Sequence, residues 1–217
     1  MDMSVVYANS HIIWYGVLVT LYYTVITIAG GLILGLFVGL IQFSRFRLLT
    51  WLGWLFVEFF RNIPLLVILL WTYYALPIFL GIEIGKGSAG FMALTCYAAA
   101  FYAEILRAGI QSIDTGQTDA ATALGMSYSQ RMRRIILPQA FRRMIPPLMG
   151  QSIMQMKNTS LLSTITVPDL LYQAGYISSF SFKPMEVYTA VGAIFLILLV
   201  PLTVLSRVVE IRSGRTK

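Results

Sequence analysis

One stretch of the chain, from Trp14 to Ile41, contains no Asp, Glu, Lys or Arg. A helix that crosses the hydrocarbon core of a bilayer needs about 20 mostly apolar residues, and this stretch exceeds that length. In the chain as a whole, 58% of the residues are hydrophobic and only 12% are charged. A soluble protein of this length does not need so large a share of apolar residues to form its core. The sequence therefore predicts an all-α polytopic membrane protein.

Five stretches are long and apolar enough to be predicted as transmembrane helices. They cover residues 14–41, 51–80, 88–106, 145–165 and 187–209. Arg61, Pro64 and Pro77 interrupt the second of them. No Ser- or Gly-rich linker divides the chain, so residues 1–217 are predicted to form a single transmembrane domain.

The basic residues predict the orientation of these helices. In a five-helix arrangement most of the 16 Lys and Arg residues lie on one side of the membrane. The cytoplasmic side of a membrane protein carries the excess of Lys and Arg, which predicts an N-terminus outside, in the periplasm, and a cytoplasmic C-terminus. The residues on the basic side are Arg45, Arg47, Arg107, Arg131, Arg133, Arg134, Arg142, Arg143, Arg207, Arg212, Arg215 and Lys217.

Other classes of protein are disfavoured by composition. The net charge of +7 is explained by topology, and no nucleic-acid-reading motif accompanies it. With one Cys (Cys96) and one His (His11), the chain has neither a disulfide framework nor a metal cluster of its own. The run GIEIGKGS from Gly81 resembles a phosphate-binding loop, but it is one residue short and has Gly after the Lys.

The predicted cytoplasmic segment 111–143 contains helix signals. Asp114 begins a pattern that resembles a capping box, and Ser127 with Gln130 fits that pattern fully. Gly125 lies between them, where a helix end favours positive φ. Two short helices with a tight elbow are therefore predicted, with Pro138 ending the second helix or starting a third. Ala120, Ala123 and Leu124 fall on one face of the first helix, which makes that face small and shallow.

Several motifs together resemble one family. DAATALG (Asp119 to Gly125) and RRIILP (Arg133 to Pro138) resemble the cytoplasmic coupling loop of importer-type ABC permeases, with Asp119 where Glu is usual. Further stretches are similar to the polar amino acid branch of that family, and the likeness covers nearly the whole chain. These stretches are FRNIPLL from Phe60, AEILRAGIQS from Ala103, LPQAF from Leu137 and KNTSL from Lys157.

The resemblance implies a type I ABC importer permease with five helices in a bacterial inner membrane. It implies that the cytoplasmic segment docks on a dimer of separate ATPase subunits, which would carry the ATP and Mg²⁺, so this chain would need no cofactor and catalyse nothing. It also implies a second permease subunit, identical or homologous, and a periplasmic amino-acid-binding protein. The expected contacts with that protein are the loop 81–87 and the stretch 167–185. The implied coupling residues are Asp119, Ala120, Ala121, Ala123, Leu124, Gly125, Leu137 and Pro138.

Ionisable residues inside predicted spans are candidates for the translocation path, because charges in a bilayer are costly. At about 1.5 Å per residue, Arg61 lies about 15 Å into the second span and Lys157 about 18 Å into the fourth. Both depths are near the bilayer midplane, where a carboxylate substrate would meet them. A Glu58–Arg61 pair within one helix is the structural alternative for Arg61. The candidate path residues are Lys157, Arg61, Glu58, Asn62, Asn158, Thr159 and Ser160.

Two other functions stay open at this point. An ion-coupled secondary transporter or channel subunit needs a coupling acid, for which Glu58 is the clear mid-span candidate. A membrane scaffold could use the arginine-rich segment to bind anionic lipid. The stripe of Gly31, Gly35 and Gly39 predicts close helix packing, against this chain or against a partner.

Overall fold

The computed structural model describes residues 3–212, and every regular element in that part of the chain is a helix. The basic residues Arg215 and Lys217, which contributed to the predicted orientation, lie outside the described residues. The helices are α1 (Ser4–Ala8), α2 (Ser10–Gln42), α3 (Arg47–Asn62), α4 (Leu65–Leu80), α5 (Lys86–Gln111), α6 (Thr115–Ala123), α7 (Tyr128–Arg131), α8 (Leu137–Asn158), α9 (Leu170–Ser181) and α10 (Pro184–Arg212). Helix α4 includes a π-helical turn at Trp71–Ala75, a second π-helical turn at Met132–Ile136 joins α7 to α8, and a 3-10 helix at Thr159–Ile165 follows α8.

Three helices within the described residues are long and apolar enough to cross a membrane: α2, α5 and α10. They contain the first, third and fifth predicted spans. The chain is thus a multi-pass membrane protein.

The second predicted span is not one continuous helix. Helices α3 and α4 are bent by 105° at the break between them, and they add a fourth span only if the bent pair is counted as one. Pro64 causes the break, since it has no N–H to donate and it disfavours helical geometry in the residue before it. Ile63 accordingly has extended backbone angles, φ −96° and ψ 133°.

The fourth predicted span differs from 145–165 at both ends. Helix α8 begins earlier, at Leu137, and passes through Pro146 and Pro147 without ending. It becomes a 3-10 helix at Thr159. This helix is less apolar than the other predicted spans because it begins inside the arginine-rich segment, and the count of five spans therefore stays a prediction.

The glycine stripe of α2 packs against α5 of the same chain. A Cβ atom added to Gly35 would lie 2.7 Å from the Ala99 carbonyl oxygen, and one added to Gly31 would lie 2.8 Å from the Ala98 Cβ. Real Cβ atoms essentially never come this close to another atom. Because Gly31 and Gly35 have no side chains, the backbones of α2 and α5 can approach each other closely. These two helices form the centre of the fold.

Two apolar clusters attach the remaining helices to this pair. In the first, Leu65 and Leu69 of α4 pack with Leu94 of α5 and with Leu162 and Ile165 of the 3-10 helix. The second cluster joins α9 to α2 and α10 through residues that include Ile13, Leu170 and Val187. The first cluster places the 3-10 helix, which begins two residues after Lys157, against the bent pair.

Asp169 caps helix α9 between the fourth and fifth predicted spans. Its Oδ1 accepts a hydrogen bond from the Tyr172 N–H at 2.8 Å, while its buried Oδ2 has no hydrogen-bond partner among the described residues. Burial raises the pKa of Asp169 from 3.8 to about 7, and the N–H bonds of the cap lower it by less. The folded chain therefore retains a proton that the unfolded chain releases as pH rises from about 4 to about 7.

We expect the thermal stability of the protein in detergent to fall across that pH range because of this group. A raised carboxyl pKa stabilises the fold fully at low pH and loses its contribution as pH rises toward 7. The variant Asp169→Asn keeps an oxygen that can cap α9 but cannot ionise. Its melting temperature is expected to exceed that of the parent by several degrees at pH 8 and by clearly less at pH 5. An equal difference at both pH values would contradict the assignment.

Candidate coupling surface and translocation site

The elbow after α6 is built as the sequence predicts. The Asp114 Oδ1 accepts from the Gly116 N–H at 2.7 Å and caps the start of the helix. At its end the Met126 N–H donates to the Ala121 carbonyl at 3.0 Å and the Gly125 N–H donates to the Thr122 carbonyl at 2.9 Å. Gly125 has φ +74°, the left-handed conformation that glycine adopts without strain. The elbow therefore has a defined geometry.

The second half of the elbow begins with the predicted capping box. The Ser127 N–H donates to the Gln130 Oε1 at 2.9 Å, and the Gln130 N–H donates to the Ser127 Oγ at 3.4 Å. The Arg131 guanidinium crosses the elbow and donates to the Thr122 Oγ1 at 2.6 Å. It also lies over the Tyr128 ring, 5.6 Å from the centroid. These contacts fix α6 relative to α7.

The coupling residues implied by the resemblance fall into an exposed set and a buried one. Asp119, Ala120, Ala123 and Gly125 are exposed, and 80% of Leu124 is accessible. They form a shallow patch at the end of α6. Ala121 is only 1% exposed, so its side chain packs inside the segment and is not part of that patch.

The second helix of the segment is longer than predicted. Helix α7 continues through the π-helical turn at Met132–Ile136 into α8, so Pro138 neither stops the helix nor restarts it. A π-helical turn redistributes the backbone hydrogen bonds, which accommodates the missing N–H of Pro138. Leu137 and Pro138 are exposed on this helix. The segment is therefore a short helix set against the start of a long one.

The base of the segment is attached to the end of α5. The Arg143 guanidinium donates to the Ser112 carbonyl, and Ile113, Ile136, Ala140 and Met144 form a buried apolar cluster beside it. Arg131 and Arg143 thus have structural contacts in addition to the role in membrane orientation that the sequence suggests. These contacts attach the start of α8 to the end of α5, next to the cap of α6.

The stretch that begins at Lys157 lies where α8 becomes a 3-10 helix. Lys157 is exposed, and Asn158 and Ser160 are half-buried. Ser160 donates through its Oγ to the Lys157 carbonyl at 2.7 Å. Thr159 is fully buried, and its hydroxyl donates to the Met156 carbonyl at 2.7 Å. Of the predicted path residues in this stretch, Thr159 therefore packs inside the chain.

Gln155 is a functional candidate that the sequence reasoning missed. It is fully buried, and its Nε2 donates to the Thr27 Oγ1 and to the Leu94 carbonyl, each at 3.1 Å. It thereby ties α8 to α2 and α5 two residues before Lys157. A glutamine in a predicted span is costly to bury without partners, and this was the available signal.

Arg61 does not pair with Glu58. Its Nη1 lies 3.6 Å from the Oε2 of Glu104 on α5, whereas Glu58 accepts from the Asn62 Nδ2 at 2.8 Å. Glu104 was not predicted because it lies near the end of the predicted span 88–106, where a charged residue is less costly than at the bilayer centre. The pairing within α3 that the sequence offered as an alternative is therefore wrong.

Arg61 and Lys157 lie at different levels of the bundle. Arg61 contacts Glu104, while Gln155, close to Lys157, contacts Leu94. These two positions on α5 are ten residues apart, which corresponds to about 15 Å along a helix. The expectation that both residues lie near the midplane assumed a straight second span and a fourth span starting at residue 145. Both assumptions are corrected by the bend at Ile63 and by the early start of α8.

The predicted outer loop, residues 81–87, is mostly exposed. The Lys86 Nζ donates to the carbonyl of Thr166, the residue after the 3-10 helix, at 2.8 Å. One face of α9 is buried against the rest of the chain, through Leu170, Gln173, Ala174 and Ile177. The exposed side chains between residues 167 and 185 include Tyr176, Phe180, Phe182 and Met185.

Comparison with known proteins relates this arrangement to transport systems. The family model described as "Binding-protein-dependent transport system inner membrane component" matches residues 31–214. The chain is 42% identical over 204 residues to the probable glutamine ABC transporter permease protein GlnM of Bacillus subtilis, covering 94% of each chain. It is 36% identical to the glutamate/aspartate import permease protein GltK of Escherichia coli O6:H1, covering 84% of this chain and 85% of that one.

Two solved structures share the fold. A crystal structure of an amino acid ABC transporter with histidines superposes with a TM-score of 0.92 at 32% identity, covering 98% of this chain and 99% of that chain. An inward-facing structure of the MetNI methionine ABC transporter superposes at 0.74 with 24% identity, covering 94% and 97%, and shows the fold alone. This chain therefore belongs to the family of inner membrane components of binding-protein-dependent transport systems, and its relatives are amino acid ABC transporter permeases.

Proposed function

We propose that this chain is the membrane subunit of an ATP-driven importer of a polar amino acid, with a mild preference for glutamate, aspartate or their amides. It works in a bacterial inner membrane with its N-terminus in the periplasm and its C-terminus in the cytoplasm. Five spans from each of two permease subunits enclose one pathway. A periplasmic binding protein delivers the substrate, and a cytoplasmic ATPase dimer supplies ATP hydrolysis with Mg²⁺.

The observation that carries this proposal is the exposed patch at the end of α6. Its side chains are small, apart from Leu124, and the capped elbow holds them in one geometry. Such a patch suits a groove on another protein, because a preorganised surface loses little freedom on binding. The attachment of Arg143 to Ser112 then passes movement of the patch to α5. Relatives named as ABC transporter permeases support the same role.

The substrate preference rests on Lys157. This exposed cation lies at the end of α8, and no acidic side chain of the described residues lies within ion-pairing distance of it. It suits a carboxylate, either the side-chain carboxylate of an acidic substrate or the α-carboxylate of any amino acid. The relatives support a polar amino acid without deciding between these, since their names include glutamine, glutamate/aspartate and arginine.

Lys157→Ala is expected to weaken uptake by the assembled importer in liposomes loaded with ATP. A hydrogen bond to a charged group contributes about 1.5–3 kcal/mol, so the apparent affinity should fall about tenfold or more. A panel of amino acids separates the two roles of Lys157. A loss confined to glutamate and aspartate indicates the side-chain carboxylate, and an equal loss across the panel indicates the α-carboxylate.

Lys157→Arg is the matched control because it keeps the positive charge, and it should retain most of the uptake. Unchanged kinetics of Lys157→Ala across the whole panel would remove this residue from the site. Uptake that follows an ion gradient without ATP would overturn the importer itself in favour of a secondary transporter.

A further inference from the structure

A cluster of charged side chains joins two helices near the inner end of the bundle. Glu104 on α5 accepts from the Arg107 Nη2 at 2.5 Å and lies 3.6 Å from the Arg61 Nη1 of α3. Arg107 also donates to the Gln111 Oε1 at 2.6 Å, and the Arg61 guanidinium lies 5.7 Å from the centroid of the Phe101 ring. Arg61 and Glu104 belong to the FRNIPLL and AEILRAGIQS motifs, so the cluster brings two distant motifs together.

Exposing this cluster to the hydrocarbon of a bilayer would be costly. The side chains of Arg61, Glu104 and Arg107 are 34%, 22% and 37% exposed in the single chain. Charges inside a bilayer face the interior of a bundle or a water-filled cavity, because exposure to hydrocarbon is too costly. On the proposed function, this side of α3 and α5 is expected to face the pathway, a partner subunit or the lipid head groups.

Glu104 has a short, continuous connection to the coupling patch. Helix α5 ends at Gln111, seven residues after Glu104, which is about 10 Å at 1.5 Å per residue. Asp114 then caps α6, and Arg143 holds Ser112 between the two helices. A displacement of α6 therefore displaces the end of α5 that carries Glu104.

Arg61 is connected just as closely to the stretch that begins at Lys157. It is the second-last residue of α3, directly before the bend at Ile63 and Pro64. Beyond the bend, Leu65 and Leu69 pack against Leu162 and Ile165 of the 3-10 helix. That helix begins two residues after Lys157.

We propose that the Arg61–Glu104 ion pair is the link that carries movement of the coupling helix to the bend beneath the translocation site. The inference rests on the proposed function. The pair connects α5, whose end is joined to α6 through Ser112 and Asp114, to the last turn of α3, which leads into the bend at Pro64. Arg61 and Glu104 are positioning residues, and neither needs to touch the substrate.

The test measures the ratio of amino acid transported to ATP hydrolysed by the reconstituted importer, together with the yield of assembled complex. Arg61→Gln and Glu104→Gln should each lower this ratio about fivefold or more, the lower end of typical coupling between two sites. The double variant should be no worse than the worse single variant, because each change breaks the same contact.

Two further variants separate a link from simple packing. Arg61→Lys should keep most of the ratio, since the pair is a single contact of 3.6 Å that a compact charge can also make. Arg45→Gln changes an exposed arginine of the inner loop and should leave the ratio unchanged.

Three results would overturn the link: an unchanged ratio in both single variants, losses that add in the double variant, or a lower yield of complex with a normal ratio. A parent protein without ATP-driven uptake would remove the proposed function and the link with it. ATP-driven uptake in the parent with normal coupling in the variants removes the link alone.

Discussion

Gly125→Trp is expected to abolish ATP-driven uptake and to prevent co-purification of the ATPase. Nothing lies within 4 Å of a Cβ built on Gly125, so the fold has room for a side chain, and the indole would project from the exposed patch instead. A residue at the centre of an interface contributes about 2 kcal/mol or more, which corresponds to about a thirtyfold loss of affinity. The measurement is uptake by proteoliposomes together with the amount of ATPase retained on the purified permease.

The control for this change is Gly125→Asn. Position 125 needs φ near +74°, which asparagine tolerates better than other residues with a side chain. A tryptophan at this position combines backbone strain with bulk, whereas asparagine adds little of either. We expect Gly125→Asn to retain substantial uptake. If Gly125→Trp binds the ATPase and transports normally, the patch at the end of α6 is not the docking surface.

Gly35→Leu is expected to destabilise the bundle itself. A Cβ at this position would lie 2.7 Å from the Ala99 carbonyl oxygen and 2.8 Å from the Tyr102 Cβ, so α2 and α5 must separate. Overpacking typically lowers the free energy of unfolding by about 1–3 kcal/mol, and this cost is higher where backbone atoms must move. We expect a lower yield of folded protein and a melting temperature in detergent that is lower by several degrees.

Gly192→Leu provides the comparison for Gly35→Leu. Gly192 also lies in a long apolar helix, but nothing lies within 4 Å of a Cβ built there. Both changes gain the same helix propensity, about 1 kcal/mol, so their difference isolates the contact between α2 and α5. Equal melting temperatures for the two variants would show that the close approach contributes nothing to stability.

Local features of the chain were predictable wherever chemistry within a few residues decides the structure. The caps at Asp114 and Ser127, the positive φ of Gly125 and the long helices α2, α5 and α10 are examples. Each depends on a side chain meeting its own backbone or on a continuous run of apolar residues. The exposed face of Ala120, Ala123 and Leu124 follows from the helical period alone.

Features that depend on partners distant in the sequence were not predictable. The choice between Glu58 and Glu104 as the partner of Arg61 depends on how α3 leans toward α5, and helical spacing favours the nearer residue. The continuation of α7 into α8, which contains Pro138, depends on the π-helical turn between them, and no composition signal marks that turn. Gln155 acquires its partners only when α2, α5 and α8 meet.

The sequence by itself determined that this protein lies in a membrane and that a small, capped helix lies in its arginine-rich segment. Both follow from local composition, because the burial of apolar residues and the capping of helix ends need no distant partner. Only the tertiary structure decided the bend between α3 and α4, the packing of the glycine stripe on α5 and the ion pair of Arg61 with Glu104. For the glycine stripe and the ion pair, helices distant in the sequence come within contact distance, and the energy of that contact decides the geometry. For the bend, Pro64 causes the break, and the packing of α4 against α5 and the 3-10 helix holds its angle.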